Sequence, residues 1–368
     1  MAISPTEAHY IIESALHDFR IDGRSRLEHR PYSVGTRPST TTTATSSSSC
    51  LILSNGSSRI HLPGSSTDIL CSVKADLVRP SPNKPNEGVV EISVDSSLAG
   101  GLDLSLGGAG GGGGTAAKRQ LRERESQITS LLQRLVVPHA VHYRELAICP
   151  GKYVWRLSVD IVVLRCDGCV LDGCAMAMRE GLRSTLLPRV SAVMNGEEGV
   201  ASGVGDHGGS SNNDLIVEGD VRMALPPPGV EDCPLVVTVG VLSAPMGAGG
   251  RVRHVCVVDA RTEEEACASS RVCVSVDRKG MVCGVHTLGG GGMENRMEDE
   301  FGGLGLGISS SMPVNMLGDV VNTAAGAAKN LYEMLDREKE LSDGKDLVRD
   351  DHDTSGYGNL LKSQLLIR

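Results

Sequence analysis

The sequence predicts an α+β fold in which antiparallel or mixed sheets pack on helices, and three observations support this prediction. Apolar residues alternate with period two in the runs 67–78 and 89–95. Apolar residues recur at helical spacing in the runs 5–19 and 115–137. The strand-like runs come in groups with helices between them, which is typical of α+β proteins and differs from a series of βαβ units.

The first part of the chain predicts one helix followed by strands. Ser4 and Glu7 form a capping box with Pro5 at the first helical position, and apolar residues follow at helical spacing as far as Phe19. Within 50–62, the dipeptide Asn55-Gly56 separates two apolar runs and predicts a hairpin turn. The alternating runs 67–78 and 89–95 predict two further strands.

The middle of the chain predicts a helix over 115–137 and then a strand that begins near 153. This strand is expected to turn at Asp167-Gly168 and to continue as a second short strand. A helix is predicted over 174–187, with Met178, Leu182 and Leu186 facing inward and Pro188 ending it.

The C-terminal part repeats this mixture. Strands are predicted at 235–242 and 253–260, and a short helix is expected to open on a capping box formed by Thr262 and Glu265. The run 271–285 predicts a hairpin that turns at Asp277–Gly280, and a final helix is predicted from about Asn315 to Leu341.

Composition divides the chain into a core and inserts. Of 368 residues, 45 are glycine, and most of this excess lies in tracts. Four low-complexity inserts are predicted to be mobile surface loops: 36–49, 100–114, 195–213 and 289–311. We predict one domain over 1–342, with halves at about 25–190 and about 215–342, and a flexible acidic tail over 343–368. This composition excludes a collagen, a coiled coil and a fully disordered chain, and no membrane span is predicted.

The acidic charge is concentrated in two segments. The formal net charge is −9, from 36 Lys and Arg against 45 Asp and Glu. The segment 293–300 carries 1 − 4 = −3, and the segment 336–353 carries 4 − 8 = −4. The rest of the chain is therefore close to neutral, so the overall acidity does not exclude a nucleic-acid partner.

Two possible ligand sites fail on their spacing. Cys166 and Cys169, with Cys174 nearby, suggest zinc, but the rest of a four-ligand set is missing, and we expect core or turn cysteines. The eleven cysteines mostly lie in apolar runs, which indicates buried free thiols. The glycine tract before Lys118 lacks the phosphate-loop pattern. We therefore predict no metal and no cofactor.

A basic cluster opens the predicted helix 115–137. Its cations are Lys118, Arg119, Arg122 and Arg124, with Glu123 as the one opposing charge among them. Two interpretations stay open: a solvated helix face, or a surface that attracts phosphate groups.

Several segments resemble a known family. The segment 67–95 contains the sequences TDIL and KPNEG, and the weaker segments 18–34, 155–168 and 254–282 support it. Together they resemble the ribonuclease PH-type subunits of the eukaryotic RNA exosome, in particular the non-catalytic type related to the inactive archaeal paralogue. The resemblance extends in order over about residues 5 to 340, except for the four inserts. It implies a ribonuclease PH fold, similar to ribosomal protein S5 domain 2, and a ring of six subunits around an RNA channel.

The resemblance also implies that this copy is not an enzyme. Active relatives bind phosphate through a Gly-Ser/Thr-Arg turn, whereas Asp167-Gly168 is followed here by Cys169-Val170-Leu171. Active relatives carry aspartates six and twelve residues after the position of Asp259, where this chain has Glu265 and Arg271. We therefore expect no catalytic residues. Two alternatives stay open: an active phosphorolytic 3′–5′ exoribonuclease, and a diverged interaction protein outside the exosome.

The resemblance implies partners and RNA contacts as well. The expected partners are other ribonuclease PH-type subunits in a hexameric ring, RNA-binding cap subunits, an associated 3′–5′ exonuclease and single-stranded RNA, without a membrane. The expected locations are the nucleus, the nucleolus and the cytoplasm. Arg124 and Arg134 match basic positions of the helix with which active relatives touch RNA. The candidate RNA-binding residues are Lys118, Arg119, Arg122, Arg124 and Arg134.

Overall fold

The computed structural model describes residues 3–36, 54–62, 67–97, 114–192, 215–218, 220–246, 251–288 and 312–338. The predicted inserts 36–49, 100–114, 195–213 and 289–311 lie outside this part of the chain, except for their flanking residues Thr36 and Gly114. The predicted acidic tail, 343–368, also lies outside it.

The N-terminal half is built on a mixed six-stranded sheet. Its strands are β1 (Ser33–Thr36), β2 (Gly56–His61), β3 (Asp68–Val78), β4 (Val89–Asp95), β5 (Ala147–Cys149) and β6 (Tyr153–Arg165). The order is β1-β2-β3-β6-β4, with β5 paired to β6. The β4–β6 pair is parallel and the other pairs are antiparallel.

The C-terminal half carries an antiparallel four-stranded sheet. A two-stranded sheet, β7 (Val190–Ala192) with β8 (Leu215–Val217), lies between the two larger sheets in the chain. The strands of the four-stranded sheet are β9 (Leu235–Met246), β10 (Arg251–Val258), β11 (Ser270–Val276) and β12 (Val282–Leu288). Their order is β10-β9-β11-β12. The predicted α+β class and the hairpin that turns at Asp277–Gly280 are confirmed.

Five α-helices accompany these sheets in the described part of the chain. They are α1 (Pro5–Leu16), α2 (Gly114–Leu135), α3 (Val170–Arg183), α4 (Thr262–Cys267) and α5, which spans 316–338. None of the described helices is both long and apolar enough to cross a membrane.

Helix α3 is the centre of the core. Every residue from Leu171 to Leu182 is buried, and the helix contacts β2, β3 and β6 of one sheet and β9 of the other. Its side chains join Leu157 and Val73 of the first sheet in one apolar cluster. The alternation predicted for β3 is confirmed, since Ile69, Cys71 and Val73 are all buried. A second cluster packs α5 on the four-stranded sheet.

Helix α1 belongs spatially to the C-terminal half. Ala8, Ile11 and Ala15 pack with Val255 and Val257 of β10 in a third apolar cluster. One half of the predicted capping box of α1 is confirmed: Ser4 is the N-cap, and its Oγ accepts the N–H of Glu7 at 3.2 Å. The helix ends at Leu16, however, so the extension to Phe19 was wrong. Asp18 has a left-handed backbone conformation, which ends the helical path, and Phe19 is exposed.

Two turns predicted from short patterns were wrong. Gly56 does not turn a hairpin but begins β2, and residues 51–53 before it lie outside the described part. A Cβ at Gly56 would overlap with Thr185, so glycine permits a close approach of the strand to the end of α3. The short strand expected after Asp167-Gly168 is instead the start of α3, because Leu171 belongs to the same buried helical face as Met178.

The ends of two helices also differ from the prediction. Helix α3 ends at Arg183, so Leu186 lies beyond it and is only half-buried, and Pro188 does not end the helix. The capping box of α4 is shifted by one residue, because the carboxylate of Glu264 accepts the N–H of Arg261 at 2.8 Å. The final helix ends in the described part at residue 338, and 339–341 lie outside it.

Candidate functional site

The turn between β6 and α3 is held in a strained, enclosed conformation. Gly168 has φ +77° and Cys169 has φ +47°, both in the left-handed region. A Cβ at Gly168 would overlap with the carbonyl oxygen of Ala260, so only glycine allows the turn to lie this close to the chain that follows β10. The thiol of Cys166 donates to the carbonyl oxygen of Gly168 at 3.2 Å. The turn therefore lies at the junction of the two halves.

Asp259, at the end of β10, is an ionised and buried anchor of this junction. Arg30 holds its carboxylate bidentately, with Nε to Oδ2 at 2.9 Å and Nη2 to Oδ1 at 2.6 Å, and the N–H of Arg30 donates to Oδ2 at 2.8 Å. Arg24 adds a contact at 3.1 Å. Burial alone would raise the pKa of Asp259, but the hydrogen bonds and the charge of Arg30 outweigh it, so this pKa lies below its ordinary value.

Arg20 forms a second buried ion pair beside this anchor. Its Nε donates to Oε1 of Glu264 at 2.8 Å, and its Nη2 contacts Oε2. The same guanidinium donates to the carbonyl oxygens of Val258 and Asp259 at 2.9 Å each. Arg20 is 1% exposed, so its guanidinium forms these hydrogen bonds with groups inside the protein. A buried charge needs such partners to offset the cost of losing water.

Asp167 connects this arginine cluster to the turn. Its carbonyl oxygen accepts Nη1 of Arg30 at 2.8 Å, and its carboxylate accepts Nε of Arg261 at 3.0 Å.

The functional importance of Arg20, Arg24 and Arg30 was not predicted from the sequence. The signal was available in the basic spacing of 20–30, but the carboxylates that receive Arg20 and Arg30 lie 244 and 229 residues further along the chain.

The two positions predicted to have lost catalytic aspartates face the turn. One carboxylate oxygen of Glu265 accepts the backbone N–H of Cys169 at 3.0 Å, at the N-terminus of α3. Arg271 lies 3.4 Å from the same oxygen. An anion is stabilised at this place by the helix dipole and the free N–H groups. Glu265 thus supplies an internal anion to the N–H of Cys169, the N-cap residue of α3, and Arg271 pairs with that anion.

Asp172 is a second carboxyl group at the N-terminus of α3. It accepts the N–H of Thr238 at 2.7 Å and the hydroxyl of Thr238 at 2.6 Å. Burial raises the pKa of Asp172 to about 8, despite the hydrogen bonds from Thr238 that lower it, and the charges of Asp259 and Glu265 raise it further. This carboxyl joins α3 to β9 and is mostly protonated at neutral pH.

The predicted basic residues whose side chains the structure describes do not all lie on one face of α2. Arg119 and Arg122 are exposed, and Nε of Arg119 pairs with Glu123 at 3.0 Å. Arg134 is exposed, and its Nε donates to the carbonyl oxygen of Ser130 at 3.3 Å. Lys118 lies in the first turns of α2, and its side chain lies outside what the structure describes.

Arg124 alone among them turns toward the junction. It is half-buried, and five residues of helix separate it from Arg119 by about 140° around the axis. Its charge acts on the thiol of Cys166 beside the turn. Burial raises the pKa of that thiol to about 12, Glu265 raises it as well, and Arg124 partly opposes this.

The cysteines near the turn are free thiols, as are all ten in the described part of the chain. Cys169 and Cys174 are buried, and burial raises the pKa of each well above its ordinary value. Within the described residues, no group of three or more His, Cys, Asp and Glu side chains is placed to hold a metal ion.

Comparison with known proteins places both halves in one family. The model of the 3′ exoribonuclease family, domain 1, matches residues 29–188, and the model of domain 2 matches residues 232–300. The chain is 22% identical over 328 residues to the "Putative exosome complex exonuclease RRP42" of Dictyostelium discoideum, covering 79% of this chain and 90% of the relative. It is 26% identical over 280 residues to the "Exosome complex component Rrp42" of Methanopyrus kandleri, covering 75% and 83%.

Two solved structures share the fold. The "Archaeal exosome core" covers 89% of this chain and 94% of its own, with a TM-score of 0.56 and 19% identity. The "archaeoglobus fulgidus exosome with RNA bound to the active site" covers 89% and 97%, with a TM-score of 0.57 and 18% identity. The two β-rich halves around α3 therefore have the architecture that the sequence resemblance implied.

Proposed function

The chain belongs to the 3′ exoribonuclease, or ribonuclease PH, family, and on that premise we propose that it is a non-catalytic structural subunit of an RNA exosome ring. In this role it supports 3′–5′ processing and degradation of RNA, including rRNA maturation and mRNA turnover. It contributes by completing the ring and by helping to thread RNA toward a separate 3′–5′ exonuclease.

The contact between Glu265 and Cys169 is the observation that carries the non-catalytic part of the proposal. In phosphorolysis an inorganic phosphate must be held while a nearby acid group assists the transfer. Here an internal carboxylate accepts the N–H of Cys169 at 3.0 Å, and Arg271 pairs with that carboxylate. Val170 and Leu171, the next two residues, have no side-chain group that can hold phosphate.

The ring membership rests on relatives that cover most of the chain. The relative from Dictyostelium is named a putative exosome complex exonuclease, and the relative from Methanopyrus is named an exosome complex component. By analogy, the partners of this chain are other ribonuclease PH-type subunits in a hexameric ring, RNA-binding cap subunits and the associated nuclease. A subunit of this kind works in the nucleus, the nucleolus and the cytoplasm.

The proposed contact with RNA is made by the basic residues of α2. Arg119, Arg122 and Arg134 are exposed to solvent, where they could meet the phosphates of a single strand, while Arg124 lies nearer the junction. Such contacts do not read bases, so binding should be independent of sequence and should weaken with salt.

Co-purification tests ring membership. A tagged full chain expressed in its own cells should elute in one assembly that contains other ribonuclease PH-type subunits in equal amounts. Elution without such subunits would support instead a diverged interaction protein outside the exosome.

A further inference from the structure

The exposed face of α2 lies close to the point where an acidic segment leaves the described structure. Arg124 turns toward the junction, so the rest of 118–124 carries Lys118, Arg119 and Arg122 against Glu123, which gives 3 − 1 = +2. The segment 293–300 follows β12 in the chain and carries 1 − 4 = −3. The two charges are opposite in sign, and their positions in the fold decide whether they can meet.

Strand β12 runs antiparallel to α2, and its end points toward the basic region. Near its start, Gly284 lies against Leu135, the last residue of α2. At its end, Leu288 is paired with Arg271 of β11, and Arg271 contacts Glu265. Glu265 in turn accepts the N–H of Cys169, just beyond β6, and Glu125 of α2 accepts the N–H of Ser96, just beyond β4. Because β4 and β6 are parallel, their ends lie on the same side of the sheet. This end of β12 therefore lies on the same side of the molecule as Arg124 and Glu125 of α2.

The connecting chain is long enough to span the remaining distance. From Gly284 to Leu288 the strand advances about 13 Å, while α2 advances about 20 Å from Leu135 back to Arg122. About 7 Å along the helix remains. The six residues from Leu288 to Glu294 can reach about 20 Å when extended.

The other acidic segment begins at the wrong end of β12. Asp336, where that segment starts, accepts Nη2 of Arg278 at 2.6 Å. Arg278 lies in the β11–β12 turn, at the end of β12 opposite to Leu288. Position therefore favours 293–300 over 336–353 as the occupant of the basic face.

We propose that the acidic segment 293–300 docks on the outward face of α2 at Arg119 and Arg122 and competes there with the phosphates of RNA. The docking of the segment is inferred from the opposite charges and from where the chain leaves β12. Its competition with RNA depends, in addition, on the proposed RNA contact of α2. The contact is electrostatic and exposed, so it weakens as salt rises.

Zero-length cross-linking of the full chain tests the docking without RNA. A carbodiimide should join Lys118, the one lysine of α2, to carboxylates of 293–300 at low salt, and mass spectrometry should find fewer of these links at about 0.5 M NaCl. An equal mixture of ¹⁴N- and ¹⁵N-labelled chains separates links within one chain from links between chains. The proposal fails if links to this segment are missing, or if they form only between chains and so show a second copy on this face.

A binding measurement tests the competition. In one variant the four acids of the segment are neutralised: Glu294→Gln, Glu298→Gln, Asp299→Asn and Glu300→Gln. In the matched control four acids of the tail are neutralised: Asp343→Asn, Asp346→Asn, Asp350→Asn and Asp351→Asn. Both variants change the net charge equally.

The segment variant should bind a fluorescent oligouridine roughly three- to tenfold more tightly than the control variant at low salt, and the difference should vanish at high salt. Equal affinities despite intramolecular cross-links would support the docking and would count against the proposed RNA contact of α2. Equal affinities without such links would overturn the inference itself.

Discussion

The stability of this protein should fall in mild acid because of His29. The imidazole is 7% exposed, and neither of its ring nitrogens has a hydrogen-bond partner among the described residues. Burial lowers its pKa to about 4. Asp259 partly opposes this, and the charges of Arg24, Arg20 and Arg30 lower it further. The folded protein thus holds His29 neutral at a pH where the unfolded chain protonates it.

The size of this effect follows from linkage. The pKa of His29 falls from 6.5 in the unfolded chain to about 4 in the folded protein, and each unit is worth 1.36 kcal/mol. The folded state binds fewer protons, so the stabilisation is present above pH 6.5 and is lost as the pH falls toward 4. The expected loss is about 3 kcal/mol.

Urea unfolding measures this loss, with the fluorescence of Trp155 as the signal. Trp155 is the single tryptophan of the chain and is buried. Other groups titrate in the same range, so the quantity of interest is the difference between the native chain and His29→Phe at each pH. The native chain should lose about 3 kcal/mol relative to the variant between pH 7 and pH 4. A difference that stays constant with pH would show that His29 can be protonated in the folded protein.

Three further predictions concern the junction around the β6–α3 turn. Arg30→Ala should cost about 3–5 kcal/mol in urea unfolding, because the buried carboxylate of Asp259 loses its bidentate partner; a cost under 1 kcal/mol would contradict this. Gly168→Ala should lower stability by about 2 kcal/mol or more, since φ is +77° and the new Cβ would overlap with backbone; an unchanged melting temperature would count against it. Asp172 has a raised pKa of about 8, so its contribution to stability is full below its unfolded pKa near 4 and declines as the pH rises to 8. Asp172→Asn should flatten that decline, and an identical pH profile in both proteins would refute the assignment.

The sequence predicted best those features that depend on neighbours in the chain. The alternation of apolar residues correctly predicted β3 and β4, and the N-cap residue Ser4 correctly predicted the start of α1. The sequence also showed that Val170 and Leu171 stand where active relatives have a hydroxyl and a guanidinium group. This could be read from the sequence because the resemblance matches these positions one by one.

Features that depend on distant partners could not be predicted. Arg30 meets Asp259 across 229 residues, and Cys169 meets Glu265 across 96. Nothing local in either segment indicates its partner. The start of α3 was misjudged for a related reason, since the left-handed conformation of Cys169 is stabilised by contacts from the other half of the molecule.

The distribution of cations around α2 shows the same limit. Four basic residues close together in sequence suggested one patch, but helical geometry turns Arg124 toward the junction and leaves Arg119 and Arg122 outward. The sequence therefore predicted that this segment of α2 is basic, but it did not predict which of the basic side chains share one face of the helix.

The proposal that this chain is not an enzyme is tested most directly by a phosphorolysis assay. The purified full chain, alone and assembled with its ring neighbours, is incubated with single-stranded RNA and radiolabelled inorganic phosphate, and labelled nucleoside diphosphates are counted. For the chain alone, we expect no release above the protein-free blank. For the ring, we expect the same release when Glu265→Gln replaces the native chain, because Glu265 holds an N–H of this chain and does not act on RNA. Phosphate-dependent release by the chain alone, or loss of the ring's release in that variant, would contradict the proposal.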